Sequence, residues 1–100
     1  MTYTIRYSLQ AVEDIEKVID YIERELFAPV AAERFAKGIF AKIDQLKFNA
    51  HVFPVSIYED VCEYDVAVRH VTYEKFTIIY SIHDKRIVIH RIIHGSLIKK

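Results

Sequence analysis

The sequence predicts an α+β domain in the order β-α-α-β-β-β, with a helical hairpin packed on one face of a mainly antiparallel sheet. Three observations carry that reading. Two apolar stripes with helical period lie in the first half of the chain, on either side of Pro29. From about residue 65 onward, three segments rich in β-branched and aromatic residues alternate with short polar linkers. One short alternating segment precedes them all.

That first segment, "YTIRY" at residues 3–7, places Tyr3, Ile5 and Tyr7 on one face of a strand. Ser8 suits a helix N-cap, because its hydroxyl can accept an otherwise orphaned backbone N–H. Glu13, Asp14 and Glu16 then put negative charge in the early helix, where the dipole favours it. Ile15, Val18, Ile19, Ile22 and Leu26 recur at helical spacing and predict an amphipathic helix over about residues 9–26. Pro29 fits the first turn of a second helix, where a missing N–H costs nothing. Ala32, Phe35, Ala36, Ile39, Ile43 and Leu46 carry its stripe over about residues 30–47. So short a connection folds the two helices back on each other.

Residues 48–56 contain Pro54 and no clear period, so they read as a loop, and "IYEDVCEYD" reads as further loop or an edge strand. Strands follow over about 65–71, 76–82 and 87–94. The linkers "TYEK" and "HDKR" have hairpin length but lack Asn-Gly, so connections longer than two residues, built on type I turns, are expected. In the last strand Ile87, Ile89 and Ile93 fall on one face and Val88 and Ile92 on the other. A strand apolar on both faces is expected at the centre of the sheet, with helices covering one side.

One hundred residues make a single domain, 1–100. Apolar residues make up 52 % and Gly plus Pro only four, which excludes a disordered or fibrous chain. The single cysteine, Cys62, allows neither an intrachain disulfide nor a four-thiolate metal site. No secretory leader is visible, and no apolar stretch nears the roughly 20 residues of a membrane span. A cytoplasmic protein with no membrane association is expected. The zero net charge hides an asymmetry. Residues 1–65 carry seven Lys/Arg against twelve Asp/Glu, whereas residues 66–100 carry seven against two and four of the five histidines. A basic final third suggests an acidic partner; the plainer reading is that helix and sheet charges pair within the fold.

Several constellations hold residues that could carry chemistry. "HRIIH" has helical zinc-ligand spacing, but its β-branched surroundings predict a strand, on which His90 and His94 share a face roughly 13 Å apart. Arg91 also stands where a zinc protease needs its glutamate. No metal and no cofactor are expected. Glu59, Asp60, Glu63 and Asp65 read as a solvated loop. The remaining set is Arg69, Tyr80, Arg91 and His94, with His70, Tyr73 and Lys75 nearby. Arginine binds phosphate bidentately, histidine titrates near neutral pH and tyrosine can stack or donate a proton, which is the equipment of a metal-free ribonuclease. The alternative is structural: Tyr80 in the core, Arg69 and Arg91 paired with helix carboxylates, and His94 ending its strand.

Two stretches bear a further resemblance. "A-x-x-D-I-x-x-x-x-x-Y-I" at Ala11, Asp14, Ile15, Tyr21 and Ile22, and the ending "Y-x-I…I-x-I-x-R-I-I-H-G" from Tyr80 to Gly95, resemble the RelE/ParE superfamily of bacterial type II toxin–antitoxin toxins, the plasmid-stabilisation toxins. The resemblance spans roughly residues 3–95. It implies a growth-inhibiting toxin neutralised by a cognate antitoxin, in a heterotetramer or larger complex. Its ParE-like branch implies inhibition of DNA gyrase without catalysis. Its RelE-like branch implies a metal-independent, ribosome-dependent mRNA endoribonuclease, with Arg69, His94 and Tyr80 as its catalytic groups. Either target, or the antitoxin, would be met by Arg69, Arg91, His90, Lys99 and Lys100. A diverged antitoxin-binding member with little toxicity is the third reading. The nuclease branch often has an aromatic residue after the near-terminal histidine, where this chain has Gly95, and the ParE branch has a basic polar tail, where this chain has Ser96, Leu97 and Ile98. The ParE-like reading stands slightly ahead.

Overall fold

The computed structural model describes residues 3–55 and 67–95. Strand β1 (Thr4–Tyr7) leads into helix α1 (Leu9–Asp20), and α2 (Pro29–Asp44) and the single turn α3 (Leu46–Asn49) follow. Strands β2 (Val68–Tyr73), β3 (Phe76–His83) and β4 (Arg86–His94) complete the chain in the order β-α-α-β-β-β, α3 being a short addition. The sheet runs β1-β4-β3-β2, with β1 parallel to β4 and the other two pairs antiparallel. This is the expected α+β architecture, and β4 is internal to the sheet as its two-sided apolarity required.

Ser8 caps α1 as its residue type suggests, its Oγ accepting the Ala11 N–H at 3.0 Å. The α-helix stops at Asp20, and Tyr21–Glu25 continue as a π-helical turn in which Leu26 N–H bonds the Tyr21 carbonyl. Leu26, Phe27 and Ala28 then reverse the chain into α2, with Pro29 in its first turn. Phe27 adopts a positive φ of 51° although it is 86 % exposed. Residues 46–52, expected as the end of one helix and the start of a loop, form α3 and a 3₁₀ turn (Ala50–Val52) instead. Tertiary packing explains the difference: Leu46 and Ala50 are buried in the core, so the chain stays helical past the last clear period.

Facing residues of the sheet pair across it. Val71 lies opposite Ile78 and Ile78 opposite Ile92; Tyr80 lies opposite Ile89, and Ile87 opposite Ile5. These side chains meet Ala11, Ile15, Phe35, Ile39 and Ile43 of the hairpin in one core. Two corrections to the strand reading follow. First, Glu74-Lys75 and Asp84-Lys85 are two-residue turns rather than longer connections. Glu74 and Asp84 enter them at φ of 54° and 58°. A left-handed residue matches the twist of a tight hairpin, and the paired sheet outweighs the roughly 1–2 kcal/mol that it costs a residue other than glycine.

Second, the register of β3 with β4 slips between Ile79 and Tyr80: Tyr80 faces Ile89 while Ile79 faces Arg91, so His90 is an extra residue, a β-bulge. The bulge reverses the alternation beyond it. Ile92, not Ile93, joins Ile87 and Ile89 in the core, and His90 and His94 do not share a face.

Gly38 of α2 lies under the Tyr73 ring; a Cβ there would come 1.8 Å from the Tyr73 hydroxyl oxygen. Alanine normally stabilises a helix interior over glycine by about 1 kcal/mol. Gly38→Ala should therefore show that gain in a Tyr73→Ala background and lose most of it in the parent. A double-mutant cycle in urea is expected to return at least ~0.5 kcal/mol of coupling; additive values would contradict the close approach.

Candidate functional site

Beyond Tyr7, β1 no longer covers the edge of β4, and α1 takes its place. Ser8 Oγ donates to the His90 carbonyl at 2.8 Å. One turn on, the Asp14 carboxylate accepts the Ile92 N–H at 3.0 Å, Arg91 Nε at 2.7 Å and Arg91 Nη2 at 3.0 Å. A helix carboxylate thus terminates a strand edge and holds the bulge's guanidinium bidentately. Asp14 is 9 % exposed. Sequence reasoning placed Asp14 at the helix dipole and did not see this role. The signal was there: Ala11, Asp14, Ile15 and Val18 share one helix face, so a carboxylate stood on the buried stripe.

Arg69 and Tyr80 lie directly opposite each other on β2 and β3. Both reach the same turn. The Tyr80 hydroxyl donates to the Ala50 carbonyl at 2.7 Å, and Arg69 Nη1 donates to the Phe53 carbonyl and, at 3.5 Å, to that of His51. Tyr3 Oη and His51 Nε2, 2.7 Å apart, tie the turn to β1 as well. Tyr80 is fully buried. Burial pushes its phenol up to about 12, only partly opposed by the nearby Arg69 charge. The hydroxyl is accordingly neutral across the physiological range and committed to a backbone carbonyl.

His94 sits elsewhere. It pairs with Phe76, four positions along β3 from Tyr80 and so roughly 13 Å distant along the strand. Its ring meets Phe76 edge-on, with centroids 5.5 Å apart. Both residues line a cavity of about 680 Å³ between the π-helical turn and the β2–β3 hairpin, together with Lys17, Tyr21, Ile22, Phe35 and Lys75. The cavity is largely apolar, and its charged lining is mixed, with Glu74 beside Lys17 and Lys75. The sheet therefore brings Arg69 and Tyr80 together, sets His94 apart with Lys75, and turns Arg91 toward Asp14. His90 stands on the bulge, half-buried, with Ser81. Lys99, Lys100, Glu59, Asp60, Glu63 and Asp65 lie outside the described residues.

The sequence matches the family described as ParE toxin of type II toxin–antitoxin system, parDE, over residues 5–98. This chain belongs to the ParE toxin family. Two solved structures share the fold of this ParE-family chain. One, a chromosomal ParDE toxin–antitoxin system from P. aeruginosa, is 21 % identical, covers 93 % of this chain and 96 % of its own, and gives a TM-score of 0.76. The other, the toxin–antitoxin complex RelBE2 from Mycobacterium tuberculosis, is 18 % identical, covers 94 % and 99 %, and gives 0.57. No curated protein matches. Among the described residues, no helix is long and apolar enough to cross a membrane.

Proposed function

We propose that this ParE-family toxin, held inactive by a cognate antitoxin, acts by inhibiting DNA gyrase rather than by cutting RNA. The observation that carries the choice is the separation of the groups a nuclease would need. Tyr80 is buried with its proton on a backbone carbonyl, Arg69 straps the turn at 51–53, and His94 stands roughly 13 Å along the strand from both. General acid–base catalysis needs its groups within hydrogen-bond reach of the reacting atoms, directly or through one water. An inhibitor that works by binding needs no such convergence. The antitoxin complex, by the same family reading, is a heterotetramer or larger.

One feature favours the endoribonuclease reading: His94 shares its cavity with Lys17, Lys75 and Glu74, a histidine with two cations and a carboxylate. Induction of the chain alone in bacteria, with labelled thymidine and labelled amino acid followed over the first minutes, separates the two. DNA synthesis should fall first, and the purified chain should inhibit supercoiling by gyrase. His94→Ala should keep toxicity within a few-fold, whereas loss of an acid–base group costs a nuclease about 10²–10⁴-fold. Early collapse of protein synthesis, abolished by His94→Ala or Arg69→Ala in a folded protein, would overturn the gyrase reading.

A further inference from the structure

At the tip of the helical hairpin an aromatic ring stands in solvent on a strained backbone. Phe27 holds a left-handed φ of 51° with 86 % of its surface exposed. Glycine or asparagine adopts that conformation at lower cost, so the reversal between the helices does not call for an aromatic residue. Strain kept at an exposed position points to a function for the side chain. Tyr21 and Leu26 are at least half exposed beside it. Both line the cavity of about 680 Å³ between the π-helical turn and the β2–β3 hairpin. An apolar cavity of roughly 150 Å³ is enough to take a benzene ring. Each chain thus carries an apolar projection and, next to it, an apolar cavity that its own Phe27 does not fill.

We propose that a second copy of this chain covers this surface: two hairpin tips pack about a two-fold axis, each Phe27 entering the cavity of the other copy. Charge favours that occupant. The exposed π-helical turn runs minus, plus, minus through Glu23, Arg24 and Glu25. The cavity is edged by Lys17, Glu74 and Lys75, two plus charges and a minus. One chain therefore holds both halves of a complementary pattern. Leu26 lines the cavity and directly precedes Phe27, so the two halves are adjacent. A two-fold interface needs that adjacency, because one patch must meet its own copy. A head-to-tail contact would leave a projection and a cavity unmatched at its ends. Size sets the strength. Tyr21, Leu26 and Phe27 of two copies, with the cavity walls they cover, bury on the order of 1,200 Å², the small end of specific interfaces. The dimer is accordingly weak and reversible, with a dissociation constant in the micromolar range.

Sedimentation velocity of the purified 100-residue chain over a concentration series tests the contact. The chain should pass from monomer to dimer across about 1–100 μM. Phe27→Asn removes the ring and keeps a residue that tolerates the left-handed backbone. Its circular dichroism spectrum should be unchanged while self-association weakens by at least ~30-fold. Glu23→Lys/Glu25→Lys should weaken pairing as well. Adding Lys17→Glu/Lys75→Glu should restore it, because the charge pattern is then inverted on both sides. A monomer at every concentration, or a dimer that Phe27→Asn leaves intact, would overturn the proposal and give the cavity to a different partner. The supercoiling assay, run below the concentration at which the chain pairs, decides the gyrase reading separately.

Discussion

Asp14→Ala should lower the unfolding free energy by about 3 kcal/mol, the low end of the range for removing one partner of a buried ion pair. Asp14 is nearly buried, and the Arg91 side chain keeps 26 % of its surface in contact with solvent, which moderates the loss. Alanine leaves a half-buried guanidinium without its carboxylate and the buried Ile92 N–H without its acceptor. Both losses fall where α1 docks on the uncovered edge of β4, so the helix keeps only the Ser8 bonds to Ile89 and His90 at its start among the described polar contacts with that edge. Asp14→Asn keeps a carbonyl oxygen for Ile92 and should be less harmful. The double variant Asp14→Ala/Arg91→Met should recover part of the loss, because the guanidinium that the carboxylate balanced is removed with it. Urea unfolding with an unchanged denaturant slope is the measurement. A loss under ~1 kcal/mol for Asp14→Ala would place the pair among ordinary surface bridges.

Tyr80 should make the chain sensitive to alkali. Burial raises its pKa in the folded state from 10.0 to about 12, against which the Arg69 charge acts weakly. A group with a raised folded pKa binds its proton more tightly when folded. Its contribution is therefore complete below about pH 10 and is lost as pH climbs toward 12. Two pH units correspond to about 2.7 kcal/mol. Tyr80→Phe removes the titration together with the bond to Ala50, so it should cost about 1–2 kcal/mol at neutral pH. Between pH 10 and 12 the parent should lose stability faster than the variant, until their order converges or reverses. Parallel pH profiles for the two proteins would contradict the assignment. At neutral pH a folded Tyr80→Phe protein should retain its toxicity, since the hydroxyl reaches only a backbone carbonyl.

Local pattern alone determined most of the scaffold. The helix stripes, Ser8 as a cap, Pro29 at the start of α2 and three β-rich segments all express short-range constraints: side-chain period, capping chemistry and the missing N–H of proline. The family likeness was legible for the same reason, because Ala11, Asp14, Ile15 and the Tyr80–Gly95 ending are positions that packing constrains. Tertiary structure decided the site. The stretch "RIVIHRIIH" is apolar on both faces, so one extra residue leaves no mark in its alternation, yet it exchanges Ile92 for Ile93 in the core and moves His90 to the face opposite His94. The pairing of β1 with β4 joins the two ends of the chain, a contact on which no local window bears. An arginine's chemistry is likewise the same whether it meets phosphate or Asp14. Only the position of α1 along the open edge of β4 committed Arg91 to the carboxylate, and only the turn at 50–53 committed Arg69 and Tyr80 to backbone carbonyls. Periodicity records which face a residue turns; partners are set by long-range register, which depends on how distant segments pack.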